Sequence, residues 1–157
     1  MQKIAVDVSP MYPDVEIPKY QTVGSAGCDV KAYVKFDDGT PTSLDIQHGM
    51  RGVMIPTGLR VSIPKGYYMA VVPRSGLSAK TSMRIANSPG TVDSDFRNEV
   101  KIIVDNHGKD EKDDVEIKHG DRIAQLVFLP YYQADFIIRD SLDNTERTGG
   151  FGSTGIK

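Results

Sequence analysis

Four stretches of the sequence concentrate small, polar and charged residues that could carry chemistry. In the first, residues 73–80, Arg74, Ser75 and Gly76 stand where a short helix would begin. Arginine pairs bidentately with phosphate oxygens, and the free N–H groups at a helix start favour anions. An Arg-Ser-Gly turn is also ordinary in proteins that bind no phosphate, so the stretch alone leaves both interpretations open.

The second stretch, residues 87–97, contains two carboxylates, Asp93 and Asp95. On an extended segment alternate side chains share a face, whereas in a turn they need not. A hairpin here could offer backbone donors and acceptors to the edge of a planar ligand, with the ring of Phe96 packed against it. The alternative is that both carboxylates only accept local N–H groups and cap the turn.

Two further stretches lie toward the C-terminus. Gln125 is the one polar interruption of the apolar run at residues 123–129, so its amide needs a buried partner or a ligand. Residues 147–155 are rich in Gly and Ser, a composition typical of a disordered terminus. Arg147 and Phe151 within that stretch also suit a Gly-rich segment that wraps phosphates with its backbone N–H groups.

Strands must position these residues, as the composition indicates. The chain of 157 residues contains 15 Val and 13 Ile but only 6 Leu and 8 Ala. Branching at Cβ favours pleated sheet, whereas Leu and Ala favour helix. With 15 Gly and 9 Pro to form turns, the sequence predicts one all-β domain, either a sandwich, a jelly roll or a barrel.

Short apolar runs mark the expected strands. The candidates are residues 4–8, 30–34, 59–63, 67–72, 99–104, 123–129 and 134–138. The Pro-Lys-Gly turn at 64–66 predicts that its two flanking runs form a hairpin. The run at 123–129 is apolar on both faces, which predicts a central strand. Ser75 is expected to cap one short helix over residues 76–80.

Charge and composition exclude several classes of function. The chain has 19 basic and 21 acidic residues, a net charge of −2 and a pI of about 5.9, which excludes a diffuse basic surface for nucleic acid. No apolar run of membrane-spanning length is present. Cys28 is the sole cysteine, so neither an intrachain disulfide nor a multi-cysteine zinc site is expected. A soluble cytoplasmic protein is the resulting expectation.

A fifth segment completes a recognisable set. Residues 25–30, Ser-Ala-Gly-Cys-Asp-Val, together with the four stretches in this order resemble the conserved segments of the trimeric dUTP pyrophosphatases (dUTPases). The resemblance implies a jelly-roll-like β-barrel over residues 1–143, and a flexible Gly-rich arm, residues 144–157, that closes over an active site. It also implies a homotrimer whose active sites take residues from more than one subunit.

The reaction that the resemblance implies is the hydrolysis of dUTP to dUMP and pyrophosphate. Water attacks the α-phosphate, which lowers dUTP and supplies dUMP for thymidylate synthesis. Magnesium is required in the family, but it is held through the triphosphate and waters instead of by protein ligands. No nucleic acid or membrane partner is expected.

The resemblance also assigns the site residues. Asp93 matches the carboxylate that orients and deprotonates the attacking water, and Asp29 supports the site. The triphosphate contacts would be Arg74, Ser75, Gly76, Gln125 and Arg147. The nucleoside contacts would be Asn87, Thr91, Val92, Phe96 and Lys101. In the arm, Phe151 would cover the uracil ring, with Gly152 and Ser153 also binding substrate.

Three positions depart from the usual pattern of the family. Phe96 and Cys28 stand where the family commonly has Tyr, and Arg147 lies four residues before Phe151 instead of five. Two other functions stay open. One is a related dCTP deaminase, which would release ammonia from dCTP. The other is a regulatory protein in which dUTP binding switches contacts with a partner.

Overall fold

The computed structural model describes residues 3–146, which form eleven strands, one α-helix and one short 3-10 turn. In chain order the strands are β1 (Asp7–Pro10), β2 (Cys28–Lys31), β3 (Ser43–Ile46), β4 (Val53–Pro56), β5 (Leu59–Ser62), β6 (Tyr67–Val72), β7 (Met83–Ile85), β8 (Gly90–Val92), β9 (Lys101–Asn106), β10 (Val115–Lys118) and β11 (Arg122–Pro130). The helix α1 spans Ser75–Lys80 and the 3-10 turn spans Glu111–Asp113. The prediction of an all-β domain with one short helix is confirmed.

The strands form small antiparallel sheets that together make the jelly-roll-like body. The four-stranded sheet has the order β2-β11-β6-β8 and the three-stranded sheet the order β4-β9-β7, while β1 pairs with β5 and β10 with β3. Strand β11 lies between β2 and β6. The central position predicted for the run at 123–129 is therefore confirmed.

One hydrophobic core lies between the sheets. Alternate residues of a strand face opposite sides, and the inward set includes Met69 and Val71 of β6 with Ile102 and Val104 of β9, each no more than 4% exposed. Full burial of such a side chain stabilises the fold by about 1.5–3 kcal/mol. The outward residues of the same strands are then free to form a functional surface.

The predicted hairpin at residues 59–72 is wrong, although both of its strands exist. Strand β5 pairs with β1, and β6 pairs with β11 and β8. The turn residues do reverse the chain, because Gly66 has a φ of 91° and Tyr67 N donates to Pro64 O. Turn chemistry sets the direction of the chain, but the partner of each strand is set by which apolar faces close the core.

Two other local predictions need correction. Arg74, not Ser75, is the N-cap of α1, and its side chain makes no capping hydrogen bond. Residues 134–138 form no strand. Their apolar side chains lie in solvent, with Phe136 91% exposed and Ile138 95% exposed. A strand needs a partner ladder, and none of the described strands pairs with this segment. Within residues 3–146 no helix is long and apolar enough to cross a membrane.

Candidate active site

The outer face of the four-stranded sheet carries two groups of predicted site residues, one toward each end. Asp29 of β2 lies opposite Gln125 of β11, which in turn lies opposite Val72 of β6. Ala70, two residues before Val72 on β6, lies opposite Thr91 of β8. Asp93 follows the end of β8, at the far end of the same face.

Asp29 is the centre of a nearly buried cluster at the first end of this face. Its carboxylate, with 6% of the side chain exposed, accepts hydrogen bonds from three side chains. Arg74 Nε lies 2.9 Å and Gln125 Nε2 3.2 Å from Oδ1, and Arg122 Nη1 lies 3.3 Å from Oδ2. We call Asp29, Arg74, Arg122 and Gln125 the Asp29 cluster.

The Asp29 cluster carries one carboxylate and two guanidinium groups, and so one excess positive charge. Arg74 also donates from Nη1 to the carbonyl oxygen of Arg122, at 3.0 Å. A guanidinium has five N–H groups, so both arginines retain donors after these bonds. Since the arginines are 24% and 49% exposed, the cluster can present charged donors to an anion on the outer face.

The amide of Gln125 thus has a protein partner, Asp29, which answers the question that the sequence left open. Ser75 and Gly76, the first two residues of α1, are exposed and follow directly after Arg74. Gly76 has open space where a Cβ would stand. Of this stretch, Arg74 is thus a member of the cluster, and Ser75 and Gly76 adjoin it in the chain.

Sequence reasoning assigned no role to Arg122. It lies three positions before Gln125, and in a regular strand that spacing puts two side chains on opposite faces. Between Arg122 and Ala124 the register with β2 shifts, so that one extra residue is accommodated. This β-bulge turns Arg122 toward Asp29. No signal in the sequence marks the bulge, and the residue could be found only in the fold.

The second group of residues lines a cavity of about 540 Å³ at the far end of the outer face. Strand β8 supplies Thr91, and the residues after it supply Asp93, Ser94 and Asp95. Tyr68, Tyr131 and Gln133 also line the cavity, and sequence reasoning assigned no role to them. Asp93 and Asp95 therefore line the same cavity, although the segment that carries them is a turn and not an extended strand.

A short turn holds the two carboxylates. Phe96 N donates to Asp93 O at 3.2 Å, and Phe96 packs its half-buried ring against the core. We call residues 93–97 the Asp93 turn. Upstream, the ladder between β8 and β6 fixes Thr91 and Val92 opposite Ala70 and Met69. The catalytic candidate thus stands at the first position beyond a regular strand pair.

The remaining nucleoside candidates are Asn87, beside β8, and Lys101, at the start of β9. Asn87 lies so close to Gly90 that a Cβ at position 90 would be 3.2 Å from Asn87 Nδ2, so this glycine permits the approach. Lys101 is the first residue of β9 and is exposed, with its Nζ 3.7 Å from Glu99 Oε2. Arg147, Phe151, Gly152 and Ser153 lie outside the described residues.

A single chain does not bring the two groups together. Asp29 and Gln125 are level with Val72 of β6, whereas Asp93 lines the cavity together with Tyr68, four residues earlier on the same strand. Four residues of a strand span roughly 13 Å. Strands β2 and β8 are three strand spacings apart, a further ~14 Å across the sheet. A triphosphate bound to the Asp29 cluster cannot place its α-phosphorus beside Asp93 of the same chain.

The comparisons with known proteins identify the family. A sequence model described as dUTPase matches residues 13–155. The chain belongs to the dUTPase family. It is similar to the deoxyuridine 5'-triphosphate nucleotidohydrolase of Roseobacter denitrificans, with 46% identity over 142 residues, 90% of this chain and 88% of that protein. The enzyme of the same name from Bdellovibrio bacteriovorus is 45% identical and covers 99% of both chains.

Solved structures of the family share the fold. A mutant dUTPase of Staphylococcus bacteriophage 80alpha, described with dUpNHpp, aligns with a TM-score of 0.84 over 98% of this chain and all of that one, at 22% identity. A mutant dUTPase from phage phi11 of S. aureus, described with a structural Mg(II) ion, gives a TM-score of 0.78 over 90% of this chain and all of that one, at 20% identity.

Proposed function

We propose that this protein hydrolyses dUTP to dUMP and pyrophosphate, using Asp93 to activate the attacking water. Membership of the dUTPase family supports the overall reaction. The observation that supports the role of Asp93 is its position: an exposed carboxylate at the mouth of a cavity, directly beyond the strand that would hold the base. A carboxylate within hydrogen-bond reach of a bound water can accept its proton as a general base.

Recognition of uracil is proposed to use the free edge of β8. This strand is at the edge of the four-stranded sheet, with β6 on one side. The backbone N–H and C=O groups on the other side of an edge strand are available to pair with a planar ligand. Thr91 and Val92 would offer such groups to the base, with Asn87, Phe96 and Lys101 around the nucleoside. The methyl group of thymine would find no room there, and the amino edge of cytosine would not match the same donors and acceptors.

The triphosphate is proposed to bind the Asp29 cluster together with Ser75 and Gly76. Phosphoryl transfer depends chiefly on positioning and on neutralisation of charge, and the two arginines of the cluster offer both. The substrate would be the magnesium complex of dUTP, in which the metal neutralises phosphate charge. The described residues contain no group of three or more His, Cys, Asp or Glu that could hold a metal ion.

We propose a homotrimer because each group needs its counterpart from another copy. The Asp93 turn of one chain would meet the Asp29 cluster of a neighbour, and the arm at residues 144–157 would complete the site with Arg147, Phe151, Gly152 and Ser153. The exposed apolar side chains of residues 136–138 support assembly, because contiguous exposed apolar surface marks an interface. The division of the chain at residue 143 and a cytoplasmic location stay predictions.

One assay tests the proposed function against its alternatives. Release of pyrophosphate and of ammonia is measured with dUTP, dCTP, dTTP and UTP in the presence of magnesium. Pyrophosphate release from dUTP alone is expected. Ammonia release from dCTP would identify a deaminase. Binding of dUTP without turnover would favour a sensor, and a pull-down with and without non-hydrolysable dUTP would then search for its partner.

A further inference from the structure

Arg97 is the last residue of the Asp93 turn, and its side chain bonds back to the backbone of that turn. Its Nη1 donates to the carbonyl oxygen of Ser94 at 2.7 Å and to that of Phe96 at 2.8 Å. Hydrogen bonds from a charged donor are roughly twice as strong as neutral ones. One guanidinium therefore adds two hydrogen bonds to the turn, besides the bond between Phe96 N and Asp93 O.

The two sides of the cavity differ in how they are held. Thr91 and Val92 are fixed by the ladder with β6, whereas residues 93–96 lie beyond the last paired residue of β8. The turn is held by the Phe96 N–Asp93 O hydrogen bond and by the two hydrogen bonds from Arg97. The direction in which Asp93 presents its carboxylate thus depends on the closure of the turn.

We propose that Arg97 is a positioning residue that holds the Asp93 carboxylate in its catalytic orientation. This proposal rests on the proposed function and adds a residue to it. Arg97 acts through the backbone of the turn, while the base is held by the ladder upstream. Loss of the Arg97 bonds should therefore lower kcat much more than it raises KM, because a misplacement of about 1 Å can cost roughly 100-fold in rate.

The chain offers a matched control in Arg84. Its Nη1 also donates to two backbone carbonyl groups nearby in the sequence, those of Thr81 at 2.8 Å and Met83 at 2.7 Å. Arg84 is exposed like Arg97, but it lies in strand β7, and neither it nor its two acceptors line the cavity. The two arginines thus make the same kind of local bond, and only that of Arg97 lies in the segment that carries Asp93.

The experiment compares Arg97→Gln, Arg97→Lys and Arg84→Gln by steady-state hydrolysis of dUTP, with a thermal melt of each variant. We expect Arg97→Gln to lower kcat at least about tenfold with KM changed less than about threefold. Arg97→Lys, which keeps a charged donor, should lie between it and the wild type. Arg84→Gln should shift the melting temperature similarly but retain the wild-type kcat.

The outcomes separate the two levels of the proposal. A wild-type protein that does not hydrolyse dUTP would overturn the proposed function itself. If the wild type is active and Arg97→Gln has the same kcat as the wild type, the role of Arg97 is overturned. The same holds if Arg97→Gln and Arg84→Gln lose kcat to the same extent. If Arg97→Gln does not fold, the proposal is decided by kcat of Arg97→Lys, which must fall below that of Arg84→Gln.

Discussion

The Asp29 cluster and the Asp93 turn lie on the same outer face but are held together in opposite ways. In the cluster, the three side chains that donate to the nearly buried carboxylate of Asp29 are 45 to 96 positions away from it in the sequence. In the turn, backbone groups and one arginine within five consecutive residues make all the recorded bonds. The cluster therefore requires the folded sheet, whereas the turn is a local structure attached to its edge.

Because of this difference, substitutions in the two regions should affect different properties of the protein. A change in the Asp29 cluster removes bonds that join three parts of the chain, so it should affect both folding and substrate binding. A change in the Asp93 turn leaves the sheet intact and should affect mainly the chemical step. Substitutions in each region test whether this separation holds.

The largest effect is expected in the turn, from Asp93→Asn. The variant keeps the shape of the side chain but loses the base, so kcat for dUTP should fall by about 10²–10⁴-fold without a change in melting temperature. The measurement is pyrophosphate release with magnesium. Asp95→Asn is the matched control, because Asp95 lines the same cavity two residues on, and it should keep kcat within about tenfold. Undiminished activity in Asp93→Asn would refute its role as the base.

A mixed effect is expected in the cluster, from Asp29→Asn. This change leaves two arginines without their shared counter-charge, which should lower the free energy of unfolding by about 2 kcal/mol. The arginines would also lose their orientation, and KM for dUTP should rise about tenfold. Chemical denaturation and steady-state kinetics measure the two effects.

Asp121→Asn is the control for that substitution. Asp121 is the exposed neighbour of Arg122, and its side chain accepts one hydrogen bond, from the backbone N–H of Lys118 at 2.8 Å. It should leave both quantities nearly unchanged. A loss of stability in Asp29→Asn with an unaltered KM would show that the cluster is structural only.

The smallest effect is expected at His48, which belongs to neither region. The Nδ1 atom of His48 lies 2.8 Å from Asp114 Oδ1, and this hydrogen bond is the main reason that the pKa of His48 is raised. A raised folded pKa means that the stabilisation is complete below the unfolded value, about 6.5, and is lost as pH rises through the folded value.

The pH dependence of this pair gives a measurable contrast. His48→Gln should lower the melting temperature more at pH 6 than at pH 8.5, while kcat stays that of the wild type at both. Thermal melts across this range supply the measurement. An equal shift at both values would show that the pair contributes no pH-dependent stability. A change in kcat would contradict the restriction of catalysis to the two regions.

The two regions also differ in how far the sequence predicts them. The residues of the Asp93 turn are contiguous, so one local segment of the sequence is enough to identify them. Asp93 and Asp95 of this segment line one cavity. The Asp29 cluster depends on the register that sets Asp29 opposite Gln125, and on the bulge that turns Arg122 inward. Neither register nor bulge follows from composition or periodicity, because both are set by packing between distant strands.

The same reasoning explains the errors in the fold. The apolar runs correctly predicted the positions of β5, β6 and β11, since alternation and burial are local properties. The pairing of β5 with β1 instead of β6 is a property of the whole core. Residues 134–138 have the composition of a strand, but a strand also needs a neighbour, and no described strand of this chain supplies one.

The central claim is that each active site combines the Asp93 turn of one chain with the Asp29 cluster of another. The most direct test mixes two inactive variants, Asp93→Asn and Arg74→Ala, by unfolding them together and refolding them. Random trimers should regain about a quarter of the wild-type activity, because one site in four receives an intact Asp93 and an intact Arg74 from different subunits. A mixture as inactive as either variant alone would contradict a shared site and require both regions to act within one chain.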